Sequence, residues 1–198
     1  MMNYSELLKK RRSIRDFKDK PVPKDIINEI LHESCLAPSA CNTQPWRFII
    51  IQDKQLMKRI SDESKRCGLA IMAKYPDSPY CRFGNMFANP DYNIFYNAPA
   101  LMLVVGEDNY PFFREDCTCA TTYLMFAATA RGLGTCWIGH AHNIDDQTLR
   151  QEIGLPNGYQ IASAVVFGYP KLIPKTYVRN DLIILKSIEP TIDQEKTI

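Results

Sequence analysis

The chain has 198 residues, of which 45% are hydrophobic and 23% are charged, and its formal net charge is +2 at pH 7. These values predict one domain over residues 1–198 and exclude disordered and collagen-like chains. So small a charge excess is not typical of proteins that bind nucleic acid or membrane surfaces, and we expect neither partner.

Neither a targeting motif nor a metal-binding motif is found in the sequence. The N-terminus lacks an apolar stretch followed by a small-residue cleavage site, and the longest apolar runs fall short of the roughly 20 residues that a membrane span needs. We therefore expect a cytoplasmic protein whose seven cysteines stay reduced. The cysteines form no C-x-x-C, and we expect the pair His140 and His142 at the surface, so no metal site is predicted.

The start of the chain predicts two helices. The first is expected at 5–12, with Leu7 and Leu8 facing the core and a run of cations at its end that complements the helix dipole. The second is expected over 21–37, where proline precedes a stripe of isoleucine and leucine at helical spacing.

The next part of the chain predicts a strand, a helix and an irregular segment. RFIIIQ (47–52) predicts a short buried strand, and the polar amphipathic residues 53–67 predict a helix. Residues 74–97 contain three prolines and seven aromatic residues without a sustained period. This segment is predicted to be a lid or substrate-binding segment, with a partner-wrapping arm or an irregular part of the core as open alternatives.

The second half predicts an apolar central helix that Gly132 closes, a short helix capped by Asp145, and three more strands. The apolar LIIL of the tail, 171–198, is expected to dock on the core or on a partner subunit, unless the end of the chain frays. The sum is an α+β domain of about four strands and five or six helices. The predicted helices cover 114–132 and 145–154, and the predicted strands cover 98–106, 134–140 and 159–170.

The basic run KKRRSIRDF (9–17) suggests an anion site. In an extended chain, side chains alternate, so Arg11, Ser13 and Arg15 share one face while Ile14 anchors the opposite face to the core. Two guanidiniums beside a hydroxyl suit a phosphate dianion, because arginine donates paired N–H bonds and keeps its charge.

Two other stretches carry ligand-binding features. PSACNTQPW places Ser39, Asn42 and Gln44 in a stiff turn whose amides could pair with a ring edge, although Ser39 and Asn42 could equally serve only to close the turn. GLGTCWIG follows a helix and opens a strand, the reverse of a dinucleotide-binding fingerprint. It offers an apolar strand end beside Gly139, where a backbone can approach a ligand closely.

Taken in order, RRSIRDF, APSACNTQPWRF, GLGTCWIG and FGYP resemble the nitroreductase family of FMN-dependent oxidoreductases over nearly the whole chain. The resemblance implies a nitroreductase-like α+β sandwich, in which helices flank a mostly antiparallel central sheet of about four to five strands. It also implies a homodimer whose interface builds two FMN sites, each lined by both subunits.

The resemblance further implies a role for each motif. Arg11 and Ser13, with Arg12 beside them, would hold the FMN phosphate; Arg15 would lie near flavin N1; and the backbone of Gly139 would lie near N5. The turn after the second helix would reach the flavin of the partner subunit. The implied FMN-binding residues are Arg11, Arg12, Ser13, Arg15, Pro38, Ser39, Ala40, Asn42, Gln44, Trp137, Ile138, Gly139 and, in place of a more closely spaced basic pair, Lys175 and Arg179.

The activity implied by the resemblance is hydride transfer from NAD(P)H through flavin N5 to a nitroaromatic, a quinone or a similar small-molecule acceptor, by a ping-pong mechanism. The flavin would supply the chemistry, which agrees with the missing acid-base triad. Reductive dehalogenation, flavin cleavage, and a non-catalytic flavin store or redox sensor are alternatives with the same cofactor. A protein without flavin is the remaining alternative.

Overall fold

The computed structural model describes residues 3–188, which form an α+β fold of four strands and six α-helices. Short 3₁₀ turns lie at Ala40–Asn42 and Pro79–Phe83. The helices are α1 (Tyr4–Lys10), α2 (Lys24–Ser34), α3 (Lys54–Lys74), α4 (Gly84–Ala88), α5 (Phe113–Ala130) and α6 (Gln147–Glu152). The strands are β1 (Arg47–Ile51), β2 (Ala100–Glu107), β3 (Gly134–Trp137) and β4 (Tyr159–Gly168).

The four strands form one antiparallel sheet in the order β1-β2-β4-β3. The two central strands are the long apolar ones, because both of their faces are covered, whereas β1 and β3 are edges. The mostly antiparallel sheet that the family resemblance implies is confirmed. The expected burial of β1 is wrong: only Ile51 is fully buried there, and Ile50 is 40% exposed.

The sheet divides the core into two layers, because successive side chains of a strand point to opposite faces. On one face, Leu101 and Leu103 of β2 pack with α3, α4 and α6. On the other, Ala100 and Met102 pack with the isoleucines of α2 and with α5. The apolar stripe predicted for the second helix therefore faces the core, which confirms that prediction.

Two predictions about helices α1 and α6 are wrong. Leu7 and Leu8 of α1 are expected to face the core, but Leu8 is 44% exposed and Leu7 is half-buried, because α1 lies on the surface and turns only one side toward α5. The cap of α6 is Asp146 rather than Asp145: the Asp146 carboxylate accepts from the backbone N–H of Leu149 at 3.0 Å. The Asp145 backbone N–H instead donates to Glu63.

Helix α3 continues seven residues beyond its predicted end at 67. Gly68 is a poor helix former but lies within α3. The Phe87 ring packs directly on it, and a Cβ at this position would lie 2.4 Å from Cε2 of Phe87. Close packing of the aromatic ring of α4 therefore offsets the local preference of glycine.

The aromatic segment 74–97 is anchored to α3 in its second half. The buried ammonium of Lys65 donates to the carbonyls of Asn89 and Tyr92 at 3.0 and 2.8 Å, and Ser61 Oγ accepts from the backbone N–H of Ile94 at 3.0 Å. Phe95 is fully buried. This half packs as core, and a lid or substrate role of the segment stays a prediction.

The tail runs back along the N-terminal segment and then leaves the core. Pro170 bridges to Phe17, the Lys171 N–H donates to the Asp16 carbonyl at 2.9 Å, and the apolar run 182–185 is exposed rather than docked on the chain's own core. Residues 189–198 of the predicted tail lie outside the described residues. No helix within 3–188 is long and apolar enough to cross a membrane.

Candidate functional site

The basic segment forms an extra extended strand on the outer edge of β3. Ser13 bridges to Thr135 in parallel, and the Ile14 N–H donates to the Thr135 carbonyl at 2.9 Å. The buried Ile14 side chain fits because residue 134 is glycine: a Cβ there would lie 2.4 Å from Ile14 Cγ1. Ile14 is the core anchor that alternation predicts.

The arginines of this segment point to different sides. Arg11 and Arg15 both lie close enough to Cys136 to influence its thiol: burial raises the pKa of Cys136, and the two cations act against that rise. Arg12 turns away, and its guanidinium donates to Thr176 Oγ1 and, at 2.7 Å, to the Arg11 carbonyl. The charges of Arg11 and Arg15 thus both act on Cys136, which agrees with the shared face that alternation predicts.

The cations collected here are not neutralised by carboxylates. Burial, followed by the positive charges of Arg179 and Arg12, lowers the pKa of Arg11. Within residues 3–188, Arg11, Arg12, Arg15 and Arg179 take part in no salt bridge. Arg179 is the tail cation whose charge acts on Arg11, while Lys175 lies exposed beside Thr176. The donor set suits a small anion with several negative oxygens.

Arg15 also meets two tyrosines that sequence reasoning did not assign. Its guanidinium carbon lies 5.7 Å from the ring centroid of Tyr96, and the Tyr92 ring stands edge-on to Tyr96. Burial lowers the pKa of Arg15, but interactions with Cys136 and Tyr96 outweigh it and raise the pKa overall. Burial and Tyr96 raise the pKa of Tyr92. No motif could have identified these residues, because they lie in the segment without a period.

The strand end after β3 leaves open space beside the backbone. The half-buried Trp137 packs toward α2 and α5, whereas Ile138 is buried on the opposite face of the sheet, and its N–H donates to the Ala164 carbonyl at 2.8 Å. Gly139 is exposed, and a Cβ built there would meet nothing within 4 Å. A ligand can therefore approach the main chain at Gly139.

The expected surface position of the two histidines is wrong, because both are half-buried. The His140 ring lies edge-on to the rings of Tyr80, Phe83 and Phe87, with centroids 5.2, 4.4 and 5.0 Å away, and its buried Nδ1 has no partner within 3–188. Burial, followed by the charges of His142 and Arg82, lowers the pKa of His140. His140 therefore joins the aromatic segment to the loop of Gly139.

The turn 38–44 has an unusual backbone held by its own side chains. Cys41, Asn42 and Gln44 have φ of 51°, 55° and 49°, in the left-handed region. Ser39 Oγ accepts from the Gln44 N–H at 3.0 Å, and the Gln44 amide donates to the Asn42 side chain at 3.2 Å. Ser39 and Asn42 thus do help to close the turn.

One carboxylate fixes this turn to the rest of the fold. Asp116, buried in the first turn of α5, accepts from the Ala40 N–H at 3.1 Å and from the Tyr110 hydroxyl at 3.2 Å. Pro38, Asn42 and Gln44 stay exposed, so the turn is presented outward.

The two halves of the predicted site do not meet within one chain. The turn 38–44 leads into β1, whereas 11–15 borders β3, and these strands are the two edges of the sheet. Three strand spacings separate the edges by about 14 Å. The 11–15 segment, Gly139 and Arg179 are the candidate site residues on one side of the sheet, and the turn 38–44 lies at the other.

The residues present fit FMN. Phosphate needs donors and positive charge, which Arg11, Ser13 and Arg179 supply, and a flat ring needs approach to a main chain without a side chain in the way, which Gly139 supplies. The arginine cluster, which has no carboxylate partner within residues 3–188, leaves its donors available to such an anion.

Comparison with known proteins gives a consistent result. The family model described as "Nitroreductase family" matches residues 8–169. A protein of Archaeoglobus fulgidus with the name "Putative NADH dehydrogenase/NAD(P)H nitroreductase" is 31% identical over 167 residues, which cover 81% of this chain and 82% of that protein. An iodotyrosine deiodinase of Thermotoga neapolitana is 28% identical over 187 residues, covering 90% of this chain and 95% of that protein.

Solved structures share the fold. A nitroreductase with bound FMN from Desulfitobacterium hafniense DCB-2 superposes with a TM-score of 0.75 at 26% identity, covering 94% of this chain and 100% of that one. The similarity therefore extends over the whole arrangement of sheet and helices described above.

Proposed function

The chain belongs to the nitroreductase family, and from this premise we propose that it is an FMN-dependent oxidoreductase that takes hydride from NAD(P)H and reduces a nitroaromatic, a quinone or a similar acceptor. The observation that carries the proposal is the cluster of arginines without carboxylate partners in residues 3–188, which borders β3, the strand that leads to the open main chain at Gly139. The FMN in the related structure of D. hafniense supports the choice of cofactor.

The phosphate of FMN would lie against Arg11, Ser13 and Arg179. The Arg11 and Arg179 guanidiniums repel one another without an anion, which is one cause of the lowered pKa of Arg11, and a phosphate dianion would offset that repulsion. Arg12 donates to Thr176 and so ties the tail to this segment. Arg12 and the tail would therefore position Arg179, with Lys175 further out.

When bound, FMN accepts hydride from a reduced nicotinamide and passes two electrons to an oxidised acceptor. The chain's own groups act around it. Arg15 would supply a positive charge, Gly139 would leave room for the ring, and the buried Ile138 with the rings around His140 would exclude water from one side. These roles require no proton transfer by any of the side chains.

The complete site would belong to a homodimer. The side-chain amides of Asn42 and Gln44 are exposed at the edge of the sheet opposite to Arg11. In a dimer, the turn 38–44 of one subunit would therefore complete the site of the other. Exposed apolar side chains on and beside α1 and α5, such as Tyr4, Leu36 and Tyr123, offer a surface that a second copy would cover.

The first experiment is a spectrum of the purified protein reconstituted with FMN, followed by NADH and then NADPH without oxygen, and finally by a quinone or a nitroaromatic. We expect a bound flavin that is bleached by one of the nicotinamides and recovers with the acceptor. Binding without bleaching by either nicotinamide would instead indicate a flavin store or redox sensor. A protein that binds no FMN would contradict the proposal altogether.

The phosphate assignment has a matched test within the same basic run. Arg11→Ala removes charge-assisted hydrogen bonds worth about 1.5–3 kcal/mol, which corresponds to an increase of about 10- to 150-fold in the Kd of FMN. Lys9→Ala removes an exposed cation from the last turn of α1 and is expected to leave the Kd within about twofold. Equal effects of the two variants would mean that only the general positive field matters.

The shared site can be tested by mixing two inactive chains. If one chain carries Arg11→Ala and the other carries Asn42→Ala with Gln44→Ala, both lesions fall in one site of the mixed dimer and the second site is intact. Coexpression is expected to restore FMN binding and turnover to a fraction of the dimers. Failure of the mixture to exceed either parent would show that each site is built by a single chain.

Reductive dehalogenation of an aromatic compound is a second candidate, favoured by the similarity to an iodotyrosine deiodinase over 90% of the chain. In that reaction two electrons and a proton replace carbon–halogen by carbon–hydrogen and release halide. Halide release from an iodophenol, measured beside nitro reduction under the same reductant, separates the two activities.

A further inference from the structure

Tyr96 has a backbone conformation that a bulky residue rarely adopts. Its φ is 54° and that of the following Asn97 is 51°, both in the left-handed region. Asparagine tolerates this region, whereas an aromatic residue there is strained and persists only where its surroundings hold it. Residues with such strained backbone angles concentrate at functional sites, and the contacts of Tyr96 are therefore informative.

The chain on both sides of Tyr96 is fixed. Phe95 is fully buried, and its N–H donates to Asn93 Oδ1 at 2.9 Å. The Asn93 amide donates to Asn97 Oδ1 at 3.0 Å, and Lys65 holds the Tyr92 carbonyl from α3 at 2.8 Å. These contacts fix the backbone and therefore where the Tyr96 ring is presented.

The ring is presented to Arg15. The guanidinium carbon lies 5.7 Å from its centroid, a cation–π distance, and the Tyr92 ring braces Tyr96 edge-on at 6.4 Å between centroids with the planes 78° apart. Arg15 has a long side chain with many rotamers and no salt bridge within residues 3–188. A fixed aromatic face therefore limits where its charge can lie.

We propose that Tyr96, braced by Tyr92, is a positioning residue that holds the Arg15 guanidinium at one place facing the reducible ring of FMN. The inference rests on the proposed function and deepens it. Because a fixed cation favours the negative charge of the reduced ring, Tyr96 is expected to set how much more tightly the chain binds reduced than oxidised FMN.

The test compares three variants by the Kd of oxidised FMN and by the two-electron reduction potential of the bound flavin. Tyr96→Asn keeps a residue that accepts the left-handed backbone but removes the ring, and Tyr96→Phe restores the ring without the hydroxyl. Tyr75→Asn is the control, since Tyr75 is 53% exposed in the same aromatic segment and stacks on Lys74 instead.

We expect Tyr96→Asn to reduce the preference for reduced over oxidised FMN about tenfold, which lowers the potential by about 30 mV for a two-electron couple. Tyr96→Phe is expected to recover most of this preference, and Tyr75→Asn to retain all of it. In an Arg15→Met background, Tyr96→Asn should add almost nothing, because Tyr96 acts through Arg15.

Three results would overturn the inference. If Tyr96→Asn leaves the potential unchanged while the wild-type chain binds FMN, the positioning role is wrong and the proposed function stands. If Tyr96→Asn lowers the potential equally with and without Arg15, the effect is a general loss of structure. If the wild-type chain binds no FMN, the inference fails together with the function on which it rests.

Discussion

Glu63 of α3 tests how strongly the contact between α3 and the start of α6 stabilises the fold. Its carboxylate accepts from Nε and Nη2 of Arg66 at 2.7 and 2.8 Å and from the backbone N–H groups of Asp145 and Asp146 at 3.0 Å, which joins α3 to the start of α6. The Arg66 hydrogen bonds, assisted by those backbone donors, lower the pKa of Glu63 from 4.5 to about 2. The perturbation is Glu63→Gln.

The shift gives the expected magnitude. Lowering the pKa of Glu63 from 4.5 to about 2 corresponds to about 3 kcal/mol, which we reduce to about 2 kcal/mol because the Arg66 partner is well exposed to solvent. The folded pKa lies below the unfolded one, so this stability is present above about pH 4.5 and is lost as the pH falls toward 2.

The assay is urea or thermal unfolding of both chains with FMN held constant, from pH 7 to pH 3. At pH 7 Glu63→Gln should lower the free energy of unfolding by about 2 kcal/mol and Tm by about 4–8 °C, and the difference should shrink as the pH falls. Glu152→Gln is the control, because it removes only an exposed pair with Arg59 and should cost less than about 1 kcal/mol. A difference between wild type and Glu63→Gln that does not change with pH would refute the reasoning.

Three further substitutions test contacts that build the site. Lys65→Met removes the donor to three carbonyls and should cost about 2–4 kcal/mol, with faster amide exchange over 89–94 measured by hydrogen exchange. Gly134→Ala drives a Cβ into Ile14, so it should both destabilise by about 1–3 kcal/mol and weaken FMN binding in a titration, whereas Gly84→Ala meets only an ordinary contact and should do neither. Gly139→Ala enters open space, so Tm without FMN should stay unchanged while the Kd of FMN rises; an unchanged Kd would remove Gly139 from the site.

The sequence predicted the elements whose formation depends on local pattern. The continuous apolar run of β2 and the long apolar helix closed by Gly132 both form where expected, and Gly132 has φ of 76°, as a closing glycine requires. The errors arise where a distant contact decides. Gly68 stays helical because Phe87 packs on it, and Leu8 is exposed because only one side of α1 has a neighbour in the chain.

The candidate site divides in the same way. Alternation along an extended chain was enough to place Arg11 and Arg15 on one side and Ile14 in the core. It could not reveal Tyr96 or His140, whose positions depend on how the aromatic segment folds against α3 and the strand end. It also could not reveal that 38–44 and 11–15 border opposite edges of the sheet, because strand order is set by long-range pairing.

The left-handed residues have a consequence for protein engineering. Five non-glycine residues within 3–188 have this backbone, and all fall in the turn 38–44 or at Tyr96 and Asn97. Replacing Cys41, Gln44 or Tyr96 by glycine removes the steric cost of the left-handed backbone, about 1–2 kcal/mol, which the greater freedom of glycine in the unfolded chain partly offsets. A search for heat-stable variants scored by Tm alone would therefore be drawn to these positions first. We expect it to return proteins that are more robust and bind flavin less well.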